Sequence, residues 1–306
     1  MKRSLIIISV ALLILKTNVT LSQTAGFLEF SPDAQSLSIG GAGVAADPNA
    51  FAIFNNSSSM VFAEDKMAVS TFYTKWLPNT VNSSIIGCAG FYRINPKFAL
   101  SFGYRKIGYQ AYDIVDVNGN ITGTFSPKES ALGVGVAYKI SQNFSTAINV
   151  HHFSSKLSSD KASSLTSDIG FMYRMNSINL GLKMANFGSK VNYGSEDHSL
   201  PLNLQLGAGF KPLKTENTYL NVNVSAGYVF SYSSIIAGVA GEYNYKNMVA
   251  FRLGAKYGDK SKGVPSHLST GLGFFFKGFN IDFAYLIAGN DSPINNTLSF
   301  GIGYRF

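Results

Sequence analysis

The sequence predicts an all-β fold: a 14-stranded antiparallel transmembrane β-barrel of the outer membrane, preceded by an N-terminal plug segment. Three observations predict it. The last eleven residues alternate strictly, with Leu298, Phe300, Ile302, Tyr304 and Phe306 on one face and Ser299, Gly301, Gly303 and Arg305 on the other. The same period-2 signal recurs in fourteen runs from Met67 onward. Finally, the connections between those runs alternate between short and long, as they do in outer-membrane barrels.

Composition sets the frame. Of 306 residues, 46% are hydrophobic and only 14% charged, with 30 glycines, 24 phenylalanines and 16 tyrosines, a charge content too low for an ordinary cytosolic enzyme. Residues 1–22 read as a secretory signal peptide: Lys2 and Arg3, an apolar run from Leu5 to Leu15, and small residues near Ser22. No later stretch approaches the roughly 20 apolar residues of a spanning helix. Loss of Lys2, Arg3 and Lys16 with the leader leaves 22 basic against 17 acidic residues, a mild excess scattered through turns, so nucleic acid is not an expected partner. Cys88 is the single cysteine and sits among Ile85, Ile86 and Ala89 as a small apolar residue would.

Residues 23–66 form the expected plug, and the barrel takes 67–306. The plug lacks sustained alternation. Its Ser31-Pro32-Asp33 start before Ala34 and QSLSI predicts one short capped helix, stopped by Gly40 and Gly41. A segment this short has no core of its own and must pack inside the rest.

The strand runs are Met67–Lys75, Asn82–Tyr92, Lys97–Lys106, Ser130–Ile140, Phe144–Phe153, Leu165–Arg174, Ile178–Phe187, Leu202–Phe210, Thr218–Phe230, Ile235–Tyr245, Met248–Tyr257, His267–Phe276, Phe279–Leu286 and Asn296–Phe306. Most have the ~9 to 11 residues that a tilted strand needs to cross a bilayer. Alternation is cleanest in the second half, where Val249, Phe251, Leu253 and Tyr257 oppose Ala250, Arg252, Gly254 and Lys256, and it is weakest in the first two runs. The even connections are RINP, SQN, MNS, KPLKTEN, KN and KG, five of them four residues or fewer. Of the odd connections, Ile107–Glu129, Ser154–Ser164, Gly188–Pro201, Gly258–Ser266 and Ile287–Asn295 are longer and polar, while two, near Trp76 and Ser231, are short. An even strand count with this alternation places both termini in the periplasm. Fourteen strands enclose a wide lumen, and the inward Gly, Ser and Asn leave room for the plug.

Other chemistries find little support. The Gly-x-Gly pairs at Gly133, Gly207, Gly271 and Gly301 lie inside strands and not at a strand-to-helix turn, so no dinucleotide site is expected. His151 and His152 point to opposite faces and cannot share a metal. A hydrolase would need a nucleophile signature such as G-x-S-x-G, which is absent. No cofactor, metal or catalytic residue is therefore expected.

The plug and first strands carry a family resemblance. FLEFSPDAQSLSIGGAGVAADPNAFAIFNNSS (Phe27 to Ser58), YTKWLPN (Tyr73 to Asn79), GFYRI (Gly90 to Ile94) and GTFSPKESALGVGVAYKISQNFS (Gly123 to Ser145) resemble the PorV/PorQ family of Bacteroidetes type IX secretion, closest to PorV, within the long-chain fatty acid transporter-like barrel superfamily. The matching plug positions are Pro32, Asp33, Ala34, Gly40, Gly41, Gly43, Asp47 and Asn56. The sequence departs from the pattern at Gln35, Ile39 and Ser57, where the family carries arginine, methionine and proline.

The resemblance implies a non-enzymatic role. Such barrels receive secreted proteins through their C-terminal domains from the translocon barrel and deliver them to a cell-surface attachment complex that includes a sortase-like peptidase. Expected contacts with these partners are Trp76, Leu77 and Pro78 in the first loop and Tyr109, Tyr112, Phe125 and Pro127 in the second; a bilayer-interface anchor is the alternative for Trp76. Tyr304 and Phe306 belong to a terminal pattern similar to the insertion signal of bacterial barrels, which face outer-membrane lipid. The alternative function is a channel for hydrophobic small molecules, which would need a continuous apolar pocket beneath the plug.

Overall fold

The computed structural model describes residues 25–78, 83–156, 161–193 and 197–306, so the expected leader lies outside the described residues. Among the described residues eighteen strands follow the plug: Met67–Trp76 (β1), Ser83–Arg93 (β2), Phe98–Gly108 (β3), Tyr112–Val115 (β4), Ile121–Phe125 (β5), Lys128–Lys139 (β6), Phe144–Lys156 (β7), Lys161–Met175 (β8), Ile178–Gly188 (β9), Val191–Asn192 (β10), Asp197–His198 (β11), Asn203–Lys214 (β12), Tyr219–Val229 (β13), Ser234–Tyr245 (β14), Val249–Tyr257 (β15), His267–Phe276 (β16), Phe279–Ile287 (β17) and Thr297–Arg305 (β18). Fourteen of them close an antiparallel barrel, and each corresponds to one of the fourteen runs read from the sequence. The other four make two small hairpins, β4–β5 and β10–β11, within long connections.

The seam that closes the barrel joins β1 to β18, from Ala68 opposite Arg305 to Lys75 opposite Leu298. Phe306 extends the seam through its backbone: its carbonyl accepts from Met67 at 2.9 Å and from Lys66 at 2.7 Å, and its N–H donates to Met67 at 3.0 Å. A closed sheet leaves no strand edge unpaired in hydrocarbon.

Outward-facing side chains are large and apolar, such as Leu132, Val134, Phe251, Leu253, Leu298 and Phe300, while their inward neighbours are buried. At the short-turn end Tyr92, Phe98, Tyr138, Tyr173, Phe279 and Tyr304 add aromatic rings to this surface, with ring pairs Phe98–Tyr138 at 4.7 Å and Phe279–Tyr304 at 4.9 Å. Such a girdle marks a membrane–water interface. The one cysteine, Cys88, faces outward.

Two connections differ from expectation. Strands β7 and β8 run on to Lys156 and from Lys161, leaving only 157–160 between them in place of the expected Ser154–Ser164 loop. The other is KPLKTEN, most of which is strand: β12 reaches Lys214 past a register shift after Phe210, so the turn shrinks to 215–218. Every even connection is thereby four residues or fewer.

The weak alternation of β1 and β2 has a packing cause. Their lumen face is itself apolar, because Phe72, Trp76, Ile85 and Phe91 pack against the plug in one buried cluster with Phe27, Phe51, Ile53 and Met60. With both faces greasy, period-2 contrast fades.

Candidate functional site

The plug fills the lumen through four short helical segments, Gly26–Glu29, Ala34–Ser38, Ala52–Asn55 and Ser57–Phe62, and a run of close backbone contacts. Asp33 caps the helix Ala34–Ser38 by accepting from the Ser36 N–H at 3.3 Å, and its other oxygen accepts from Asn49 Nδ2 at 3.0 Å. Gly40 and Gly41 end the helix with φ of 57° and 71°, which favours glycine. The inward glycines foreseen as empty space are where the plug backbone touches the wall. A Cβ on Gly181 would strike the Val44 carbonyl, and one on Gly254 would strike the backbone at Ile39 and Gly40. Ser57 stands where the family carries proline, and Asn56 beside it ties the plug to itself and to the wall. Its Nδ2 donates to the carbonyls of Val44 at 2.9 Å and Phe171 at 3.1 Å, while Oδ1 accepts from the Ser58 N–H at 3.3 Å.

Inward charges lie in two groups. Toward the short turns Arg252, 1% exposed, bridges Glu242 of β14 and Asp282 of β17, with 2.6 Å to Asp282. Asp47 of the plug pairs there with Lys211 at 2.6 Å and lies 3.8 Å from Arg174. Halfway up and toward the long loops, Asp168 pairs with His151 at 3.2 Å and Lys183 at 3.9 Å. Lys183 also donates to the Phe54 carbonyl of the plug at 2.6 Å. Arg105 holds the plug's start, donating to the carbonyls of Phe30 at 3.0 Å and Leu28 at 2.8 Å, with its guanidinium 4.6 Å from the Phe54 ring centre. Glu29 accepts from Asn203 at 2.7 Å and Asn186 at 3.3 Å; burial pushes its carboxyl up, against the pull of Lys256 and Lys183. Burial likewise raises the Asp33 carboxyl to about 6, opposed by Ser36.

Between these groups and the plug there remains a cavity of about 80 Å³, lined by Glu29, Arg105, Asp168, Lys183 and Lys256 among others. It is polar and charged, unlike the largely apolar lining of a hydrophobe-binding site.

The plug positions Pro32, Asp33, Ala34, Gly40, Gly41, Gly43, Asp47 and Asn56 all lie inside the lumen; Asp47 and Asn56 bond to the wall, whereas Asp33 bonds within the plug. The contact residues scatter. Trp76 is a correction: it is 5% exposed and turned inward, its ring 4.3 Å from Phe30, so it is neither a bilayer anchor nor an outer contact. Leu77 is half-buried against the same cluster, and Pro78 is half-buried. Tyr109 is half-buried with its hydroxyl on Glu129 at 3.3 Å, and the Pro127 carbonyl accepts from the Tyr109 N–H at 3.1 Å. Only Tyr112 and Phe125 sit on the projecting β4–β5 hairpin, ring to ring at 5.6 Å. That hairpin also exposes Ile114, Val115, Val117 and Ile121, with Val117 101% exposed. These four had a sequence signal, apolar residues in a polar loop, but belong to no motif.

Phe306 and the start of β1 share the short-turn end. Gly26 lies beside Tyr232, in the connection between β13 and β14 at the opposite end, so the described plug runs from that end down to β1.

The sequence matches the family described as type IX secretion system protein PorV over residues 15–230. No curated protein matches it significantly. Among solved structures it is similar to the Pseudomonas putida toluene transporter TodX (12% identity, TM-score 0.62, 89% of this chain and 96% of that one) and to the CymD monoaromatic hydrocarbon channel (12%, 0.63, 90% and 98%). A FadL homologue of Pseudomonas aeruginosa aligns at 12% identity with a TM-score of 0.57, over 90% and 98%. Identities this low establish the shared barrel fold alone.

Proposed function

This chain belongs to the PorV family of type IX secretion outer-membrane barrels, and from that premise we propose that it holds secreted proteins by their C-terminal domains and passes them from the translocon barrel to the attachment complex. In this reading the long-loop end faces outward, Phe306 lies on the periplasmic side, and residues 23–66 act as a resident plug. The observation that carries the reading is the β4–β5 hairpin. It displays Ile114, Val115, Val117 and Ile121 as exposed side chains of a two-stranded sheet separate from the barrel wall. Exposed apolar residues in a continuous patch mark protein contacts. With the lumen filled, work on a folded cargo falls to this outer surface.

A hydrocarbon channel, as TodX and CymD are titled, is the competing reading. It is disfavoured by a lumen whose remaining space is small and lined by Glu29, Arg105, Asp168 and Lys183. The test is a pull-down from native membranes with a tag inserted at 157–160, comparing the wild type with a Tyr112→Ala/Val117→Ser/Ile121→Ser hairpin variant. The proposal expects translocon barrel and C-terminal-domain cargo in the wild-type eluate and a severalfold loss of cargo from the variant. Recovery of neither, with uptake of a lipophilic ligand that depends on residues 25–45, would sink it.

A further inference from the structure

The apolar outer surface breaks on one sector of the wall. On β3, β6, β7 and β8 the outward parity marked by Leu100, Leu132, Ile148 and Leu165 brings Lys106, Lys128, Lys156 and Lys161 to the outside at the long-loop end. Register then lines them up. Lys128 lies opposite Lys156 and Lys156 opposite Lys161, so three ammonium groups share one row across adjacent strands. The next row toward the short turns is Lys106, Ser130, Ser154 and Ser163, and the one after it sets His152 among Tyr104, Leu132 and Leu165. Elsewhere at this end the outer wall shows Ile235, Tyr257, Leu268, Ile287 and Leu298. The basic patch is therefore local.

Like charges directly opposite one another on a sheet repel and destabilise it. Among the described residues no carboxylate offsets these four lysines, since none of them enters an ion pair. Lys156 rests 5.3 Å from the Phe125 ring centre, and Glu129, beside Lys128 in the chain, turns into the lumen toward Tyr109. A row of ammonium groups left in this state is completed by an anion from outside.

The height of the patch says where that anion sits. Counted from the aromatic girdle, Lys106 stands eight residues beyond Phe98, Lys128 ten beyond Tyr138 and Lys161 twelve beyond Tyr173. A strand rising ~3.3 Å per residue and tilted ~40° gains ~2.5 Å of height per residue, so the lysines lie ~20–30 Å above the girdle. That is the far edge of the ~25 Å apolar band, at the level of the lipid headgroups.

We propose that this sector of the outer wall binds a phosphorylated glycolipid of the outer leaflet, its phosphates held by Lys128, Lys156 and Lys161 and its sugar and ester oxygens by Lys106, Ser130, Ser154 and Ser163. Its acyl chains lie on the apolar wall below. A protein partner is disfavoured because the patch is a flat basic row with no aromatic or apolar anchor at its centre. Strands lie ~4.8 Å apart, so the row spans ~10 Å, which suits a headgroup with more than one phosphate. The inference takes from the secretion reading only that the long-loop end faces outward. Its test involves no cargo, so either can fail alone.

The test is native mass spectrometry of the full-length protein in neutral detergent, titrated with diphosphoryl lipid A, monophosphoryl lipid A and phosphatidylglycerol. Affinity should fall in that order. A lysine at an anionic lipid surface is worth about fivefold in binding, so Lys156→Gln should weaken diphosphoryl lipid A about fivefold and Lys128→Gln/Lys156→Gln/Lys161→Gln about a hundredfold. Arginine at the same three positions should restore it. Lys75→Gln removes an exposed lysine at the same end of β1 and should change nothing. Heat-dependent gel mobility reports the folding of each variant, and Lys156→Gln alone decides the matter where the triple variant does not fold. Equal affinity for phosphatidylglycerol and diphosphoryl lipid A, indifference to Lys156→Gln, or an equal effect of Lys75→Gln would overturn the proposal. So would a photoreactive residue at position 154 that, in native membranes, cross-links to a protein and to no glycolipid.

Discussion

Replacing Arg105 with methionine should release the start of the plug. The guanidinium, 5% exposed, donates to two plug carbonyls at 3.0 and 2.8 Å and lies 4.6 Å from the Phe54 ring centre. Hydrogen bonds from a charged donor are worth about 1.5–3 kcal/mol each, and a desolvated cation–π contact adds about 1–2 kcal/mol. Methionine keeps much of the volume, and the freed carbonyls recover part of the loss from water entering the 80 Å³ cavity beside them. A net weakening of about 3–5 kcal/mol in the docking of residues 26–31 follows. The barrel wall is unaffected, since the Arg105 backbone stays paired with Gly87 and Ala131. Hydrogen–deuterium exchange on protein in detergent reads this directly: amides of residues 26–31 should lose several hundredfold or more in protection while β2 and β3 stay protected. Unchanged protection at 26–31 would refute the assignment of Arg105 as the anchor.

Three further outcomes follow from the same contacts. Arg252→Met strands Glu242 and Asp282 in the wall and should destabilise the barrel by about 3–5 kcal/mol in urea titration. A Phe306 deletion removes the backbone pairs to Lys66 and Met67, and the folded, heat-shifted species on gels should fall severalfold during assembly into lipid. Docking of the helix Ala34–Ser38 should depend on pH. Burial raises the Asp33 carboxyl from 3.8 to about 6, so the docked plug takes up a proton, and docking is strongest below pH 4 and weakens as pH rises to about 6. Exchange protection of 34–38, corrected for intrinsic rates, should be higher at pH 4.5 than at pH 7, and Asp33→Asn should flatten the difference.

The barrel was legible because lipid imposes one rule on every strand. Phe251, Leu253 and Leu298 repeat the same outward demand, so each strand reports independently and the count converges. The plug's inner contacts were not, since Arg105 finds Phe30 seventy-five residues away and Asn56 finds Phe171 across 115. Trp76 shows the ambiguity most plainly. A tryptophan at a strand end suits both a bilayer interface and a packed lumen, and parity against the weakly alternating β1 could not choose. Lys256 and His267 were visible only as two inward polar residues, because their facing across β15 and β16 is a matter of register.

The glycines decide how such a plug can move. Because Val44 and Ala45 pass over Gly181 and Gly207 within backbone contact, and Gly40 over Gly254, this stretch of the plug is seated on bare backbone, while side chains such as Arg105 and Lys183 hold the rest. A small shift of the segment is resisted by close packing on several strands at once. Opening therefore requires withdrawal of a length of plug, not rotation of one residue. Gly181→Val should mimic that step from the wall side: its branched side chain occupies the position of the Val44 carbonyl, while strand geometry favours valine. Expected are loss of exchange protection over residues 42–47 and unchanged or slightly higher heat resistance of the barrel. If valine leaves the plug protected, the backbone seat gives way locally, and a sliding plug replaces a withdrawing one.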